Sequence, residues 1–222
     1  MVNTFENWKP IIVNKDKKFP FLIIDNWCTK EEESLVWKEL DYFLSFSKDT
    51  IPRAENGKDV ARDKEEKSLA KGYRFYLDTY FTNKGRKFSH ILNLNYKFQH
   101  LKFHSLIENT CSIGRLFKKT NNNTTMLTYY ENEDYYKEHF DISYFTSLVW
   151  FFKNPKNFDG GELNFPEINT TINLKNNRML FFPSYYFHQV KPIKFLNKNK
   201  ELGYGKFTIS NFFNIFKDED NN

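Results

Sequence analysis

From residue 124 onward the chain breaks into eight short apolar runs, at 126–130, 135–141, 145–152, 161–165, 168–174, 178–182, 188–193 and 206–216, separated by Gly, Pro, Asn and Asp. Runs of that length and spacing are strand-sized and too short for the helices of a bundle. A series of eight strands must protect its edges, which a closed or double-sheet antiparallel architecture does, and a jelly roll is the expected form. The 25 Phe and 13 Tyr residues suit such an interior, because aromatic side chains pack well on a pleated surface.

The preceding half reads differently. Residues 19–27, FPFLIIDNW, form a continuous apolar run with β-branched members and are expected to be a buried strand. Thr29 with Glu32 three positions later is a capping-box pattern, and Leu35, Val36, Leu40, Phe43 and Leu44 then recur at helical spacing, predicting a helix that ends near Ser47. Residues 48–72 are densely charged with little large apolar content, so a surface loop with a short helix is expected, and it is a candidate flap over a site. The alternating aromatics of 72–81, GYRFYLDTYF, predict extended structure. Two helices are expected over 86–119, from Ile91, Leu94, Phe98 and Leu101 and then Leu106, Ile113, Leu116 and Phe117. The polar end at 217–222 is expected to fray. The whole is expected to be one domain over 1–222: mainly β with flanking helices, a double-stranded β-helix core at 124–216, and helices from a 19–119 support packed on one face.

Charge narrows the partners. The net charge is +5, but 33 basic and 28 acidic residues are interspersed, so no nucleic-acid footprint is expected. The two cysteines, Cys28 and Cys111, form no CxxC pair, which fits a reduced, cytoplasmic compartment. No apolar run in the first 18 residues is long enough for a signal peptide or a membrane span, so no membrane partner is expected.

Within YYENEDYYKEHFD, residues 129–141, His139 and Asp141 are two apart, so in an extended strand both project to one side, roughly 7 Å apart. One imidazole and one carboxylate need a second imidazole to complete the facial triad that holds Fe(II) with open positions. His188, in FFPSYYFHQVKPI, is the clear candidate. His100 and His104 stand at i,i+4, but no glutamate of an HExxH motif lies between them and no third ligand is evident. A strand pair and a satisfied core histidine are the plain alternative for the first three.

The order HxD, distant His, then a basic residue on the last strand resembles the Fe(II)- and 2-oxoglutarate-dependent dioxygenases, most closely their prolyl 4-hydroxylase-like branch. Tyr130 and Tyr136 precede His139 as in that branch's Y-x8-HxD segment. Asp159-Gly160-Gly161-Glu162-Leu163 looks like its GGEL turn, and Leu180-Phe181-Phe182-Pro183 followed by His188, Val190 and Pro192 looks like its distal-histidine strand. The resemblance spans roughly 125–216. It implies a jelly roll with Fe(II) on His139, Asp141 and His188, and with 2-oxoglutarate and O2 as cosubstrates. Lys206 takes the family's position for gripping the distal carboxylate of 2-oxoglutarate. Thr208 faces the same side of that strand, and Tyr130 can donate to the same carboxylate. Lys in place of the commoner Arg offers a point charge instead of a fork, as in the collagen-type enzymes.

The chain departs from the pattern twice. Glu133 stands where relatives often carry Gly, and the gap from His188 to Lys206 is long, with 194–204 read as an inserted hairpin tip whose Lys194, Lys198 and Lys200 can rim the site. Within the family, Asp141 fills the position a halide would need, which argues against a halogenase. The arginine pair usual in nucleic-acid demethylases of the superfamily is missing. The expected activity is hydroxylation of a peptidyl or protein side chain, with proline leading and succinate and CO2 as co-products. Substrate would lie between the barrel mouth and residues 48–85, with Trp150 and Arg178 as wall candidates. A free amino acid or other small metabolite is the alternative substrate, favoured by a closed polar pocket with a second carboxylate-binding Arg. A non-catalytic metal-binding jelly roll is the third reading.

Overall fold

A computed structural model of the protein describes residues 5–15, 17–46, 51–58, 60–197 and 203–216. Strand β1 (Lys9–Val13) leads into β2 (Phe21–Asp25), all five residues of which are buried. Helix α1 (Lys30–Leu44) starts at the expected capping box: the Glu32 N–H donates to Thr29 Oγ1, and the Thr29 N–H donates to the Glu32 carboxylate. Two short strands, β3 (Ala70–Lys71) and β4 (Tyr73–Tyr76), follow the charged segment.

The expected extended run ends at Tyr76, because Leu77–Tyr80 closes into a helical turn, α2. Residues 83–119 form a chain of short pieces instead of two helices. The α-helical pieces are α3 (His90–Asn93) and α4 (Leu101–Thr110), joined and followed by 3-10 turns at Asn83–Phe88, Leu94–Gln99 and Ser112–Lys119. Local caps break the run. Ser89 Oγ accepts from the Leu92 N–H at the start of α3, and His100 Nδ1 accepts from the Lys102 N–H at the start of α4. His100 also stacks on Phe5 and His104 lies against Phe117, so neither belongs to a metal cluster.

All eight expected runs contain strands: β5 (Asn122–Tyr130), β6 (Tyr135–His139), β7 (Phe145–Phe151), β9 (Leu163–Phe165), β10 (Thr170–Ile172), β11 (Arg178–Pro183), β12 (His188–Val190) and β14 (Lys206–Asn214). Like β1 and β3, two strands of this half are not expected from the sequence, β8 (Phe158–Asp159) and β13 (Lys194–Phe195), which pair with each other. Lys194 and Phe195 are therefore tied to the 158–159 segment and are not one arm of a self-contained hairpin. Lys198 and Lys200, like the 217–222 tail, lie outside the described residues. The larger sheet runs β1-β2-β11-β7-β14-β5-β4 and the smaller β10-β9-β12-β6-β3, giving the jelly roll.

Alternation along the buried strands separates two cores. Leu22, Ile24, Val149, Phe151, Met179 and Phe181 point out of the larger sheet to Val36, Leu40, Phe43, Phe98, Phe103, Ile107 and Phe117 of the helical layer. Phe21, Ile23, Leu148, Trp150, Leu180 and Phe182 point inward, to Phe158, Leu163, Phe165 and Val190 between the sheets. A sheet covered on both faces explains why these strands read as unbroken apolar runs. Helices cover one face, and the other face is left to build a site. No helix among the described residues is long and apolar enough to cross a membrane.

Candidate metal centre and active-site cavity

The two histidines meet because β12 pairs with β6 in a register that sets His188 opposite His139. Each ring is fixed by its own strand in the same way: His139 Nδ1–H donates to the Lys137 carbonyl at 2.8 Å, and His188 Nδ1–H donates to the Tyr186 carbonyl at 2.9 Å. That selects the tautomer whose Nε2 lone pair is free. Both Nε2 atoms face Asp141, at 3.7 Å from Oδ1 for His139 and 3.5 Å from Oδ2 for His188. The ligand atoms of the three residues all lie within 4.8 Å of one another. Burial holds the His139 imidazole well below its ordinary pKa, with His188 adding to the effect, so it is neutral and able to ligate.

Asp141 lies just past the end of β6, so strand alternation alone does not aim it. Its N–H donates to the Ser184 carbonyl, and Thr146 Oγ1–H donates to Asp141 Oδ2 at 2.7 Å. Ser184 Oγ is hydrogen-bonded to Thr146 Oγ1 at 2.8 Å and to Ser143 Oγ at 2.5 Å. This hydroxyl cluster was not expected from the sequence. Its signal was present: buried Thr and Ser within apolar strands must have partners.

The triad lines a cavity of about 640 Å³ whose walls include Leu148, Trp150, Leu163 and Val190 from the inner core and Val60, Ala61, Arg74 and Tyr76 from the 51–76 stretch. Trp150 is thus a wall residue. Arg178 is not: it makes a two-pronged ion pair with Asp25, Nε to Oδ1 at 2.6 Å and Nη2 to Oδ2 at 3.0 Å. Tyr130 and Thr208 also line the cavity. Thr208 Oγ1 is buried with no hydrogen-bond partner among the described residues.

Lys206 is fully covered and does not reach the cavity wall directly. Its Nζ donates to the Gly161 carbonyl at 2.7 Å and sits 4.5 Å from the centre of the Tyr130 ring, its cross-strand partner. Burial pushes its pKa down to about 7, against an opposing pull from Glu162. Burial also raises the pKa of the Tyr130 hydroxyl, leaving it a protonated donor. The GGEL turn supplies the carbonyl that Lys206 uses. Gly160 has φ of 79° and a Cβ there would stand 1.9 Å from the Pro192 carbonyl oxygen, so only glycine fits. Glu133 adopts φ of 67°, keeping the left-handed turn that a glycine would take.

These residues suit their expected groups. Two imidazoles with free Nε2 atoms and one carboxylate, with nothing else among the described residues in the set, match a ferrous centre with open positions. A buried ammonium with no carboxylate partner among the described residues and an unsatisfied hydroxyl beside it match one end of a dicarboxylate.

The comparisons with known proteins bear on the segment that carries this site and on the fold. Residues 125–214 match the 2OG-Fe(II) oxygenase superfamily. The prolyl-4-hydroxylase of Pseudomonas putida superposes over 96% of this chain and 95% of its own at 10% identity and a TM-score of 0.53. A prolyl 4-hydroxylase from Phytophthora capsici does so over 87% and 58% at 13% identity and 0.51. The viral collagen prolyl hydroxylase of Paramecium Bursaria Chlorella virus-1, in a 2OG complex, matches over 96% and 98% at 15% identity and 0.48. No curated protein matches the chain by sequence. The segment that carries the triad belongs to the 2OG-Fe(II) oxygenase superfamily, within a prolyl-4-hydroxylase-like fold. The match over 125–214 supports a 2-oxoglutarate-dependent dioxygenase, a class that uses Fe(II), 2-oxoglutarate and O2.

Proposed function

We propose that the protein hydroxylates a peptidyl or protein side chain, proline first among candidates, with His139, Asp141 and His188 holding Fe(II) and Tyr130, Lys206 and Thr208 holding 2-oxoglutarate. The observation that carries the ligand set is the convergence of two free Nε2 atoms and one oriented carboxylate at the wall of a cavity. When bound, iron and cosubstrate supply the oxidation: substrate C–H, 2-oxoglutarate and O2 become substrate C–OH, succinate and CO2.

The chain's own part is positional. The Lys137 and Tyr186 carbonyls fix the imidazoles, and the Thr146 hydroxyl fixes the carboxylate. Lys206 and Thr208 bind the far carboxylate of 2-oxoglutarate, with Tyr130 as a third donor. Leu148, Trp150, Leu163 and Val190 keep water from the reacting carbon. A substrate side chain enters from the side bounded by Val60, Ala61 and Tyr76. The similarity of fold to prolyl 4-hydroxylases supports a peptide substrate.

Anaerobic addition of Fe(II) and 2-oxoglutarate to the apo protein is expected to give a visible charge-transfer band that His139→Ala or Asp141→Ala abolishes. A wild type without the band overturns the ligand set. A peptide-library screen read as a 16 Da mass gain, roughly one oxygen atom, identifies the substrate.

A further inference from the structure

We infer that Arg74 is the substrate-anchoring residue of this site and that the substrate it holds carries a carboxylate. This rests on the hydroxylase reading above and narrows its substrate class. One row of inward-facing residues crosses the larger sheet: Arg74, Thr128, Thr208, Trp150, Arg178 and Asp25 are register partners in succession. Side chains directly opposite one another share a face. The row has a guanidinium near each flank. Arg178 is neutralised by Asp25, and Arg53, close by in the fold, by Glu55 and Asp134. Arg74 is the buried arginine among the described residues, it lines the cavity, and no described carboxylate stands within ion-pair distance of it.

A buried charge with no counter-ion among the described residues is costly, and a ligand that brings the anion removes the cost. The surroundings favour an anion. Among the described residues, Lys58 and Arg74 are the cationic side chains of the cavity lining, and the one carboxylate, Asp141, is turned to the two histidines. The guanidinium sits beside the Tyr136 hydroxyl, and the Tyr136 ring is stacked on His139 with centroids 3.4 Å apart, so Arg74 opens onto the space above the metal ligands.

Arg74 is not a second grip on the carboxylate assigned to Lys206. The two residues are two strands and two positions apart, roughly 12 Å between Cα atoms by strand geometry. Their heads have different hydrogen-bond partners, Tyr136 for one and the Gly161 carbonyl for the other. The anion is therefore a second one, from an acidic side chain flanking the target residue of a peptide or from the α-carboxylate of a free amino acid.

The test uses the protein loaded anaerobically with Fe(II) and 2-oxoglutarate. One arm titrates end-blocked peptides with Glu or Gln beside a central proline, and the other titrates L-proline against L-prolinamide. Binding is read calorimetrically and from the shift of the charge-transfer band. In the arm that matches the substrate, the carboxylate member is expected to bind about 10- to 100-fold tighter than its amide partner. Arg74→Gln erases that preference while leaving the band, and Arg74→Lys keeps part of it. Equal binding within both pairs in the wild type overturns the inference without needing any variant to fold. So does a preference that survives Arg74→Gln, or loss of 2-oxoglutarate binding in that variant. A wild type with no band overturns the hydroxylase reading instead, a result distinct from a band without carboxylate preference.

Discussion

Asp141 shows how a ligand is aimed when no strand holds it. Its carboxylate depends on the Thr146 hydroxyl and its backbone on Ser184, so Thr146→Val, close in shape but without the donor, is expected to weaken Fe(II) or Co(II) binding by about 10- to 100-fold with little effect on folding. Metal titration followed by absorbance or calorimetry checks this. Gly160→Ala is expected to cost roughly 2–4 kcal/mol in denaturant unfolding, since the methyl group meets a backbone carbonyl and the left-handed conformation disfavours any Cβ. Gly160 stood out in the sequence as part of a motif, yet why it must be glycine depends on Pro192, which only the fold brings against it. The place of Arg74 is not legible in GYRFYLD for a related reason. Its signal, a charge at an inward position of an aromatic strand, means nothing until the row it belongs to is known.

Among the elements, β2 and β11 were legible as apolar runs, but their pairing was not. Arg178 was a candidate wall residue on its strand position alone. The register instead sets it against Asp25, whose carboxyl is held below its ordinary pKa chiefly by the Arg178 hydrogen bond. Arg178→Ala is expected to destabilise the protein by roughly 2–3 kcal/mol, less than the full cost of orphaning a buried charge because Lys175 also reaches Asp25. KM for 2-oxoglutarate is expected to stay unchanged, and a shift in KM without loss of stability contradicts this assignment. The helical region misread as two helices shows the opposite limit. Periodicity located the apolar residues that cover the outer core, but capping by Ser89 and His100 divides the run into short pieces.

At the scale of the molecule, the proposed role of Lys206 sets stability and cosubstrate binding against each other. Its pKa in the fold is about 7 against an ordinary 10.5, so between those values the unfolded chain binds a proton that the folded chain does not. The burden of the buried charge is thus full below pH 7 and is relieved as pH rises toward 10.5. Lys206→Met is expected to be more stable than the wild type at pH 6–7, with the difference shrinking as pH rises, and thermal unfolding at several pH values checks this. A carboxylate on Lys206 favours the ammonium, so 2-oxoglutarate binding takes up a proton above pH 7 and weakens toward pH 9. An affinity independent of pH over that range places the anchor elsewhere.

Composition and spacing alone determined the strand-rich core and the capped first helix and singled out His139, Asp141 and His188 as a candidate triad, because turn chemistry, alternation and ligand type are local properties of the chain, whereas the candidate anchors Tyr130, Lys206 and Thr208 came from the family resemblance. Tertiary structure decided which charges are paired and which are left facing the cavity. Arg178 and Arg74 sit near opposite flanks of one row and look alike in the sequence. Only strand pairing gives the first a carboxylate and leaves the second without one among the described residues, because electrostatic partners are set by distance in space.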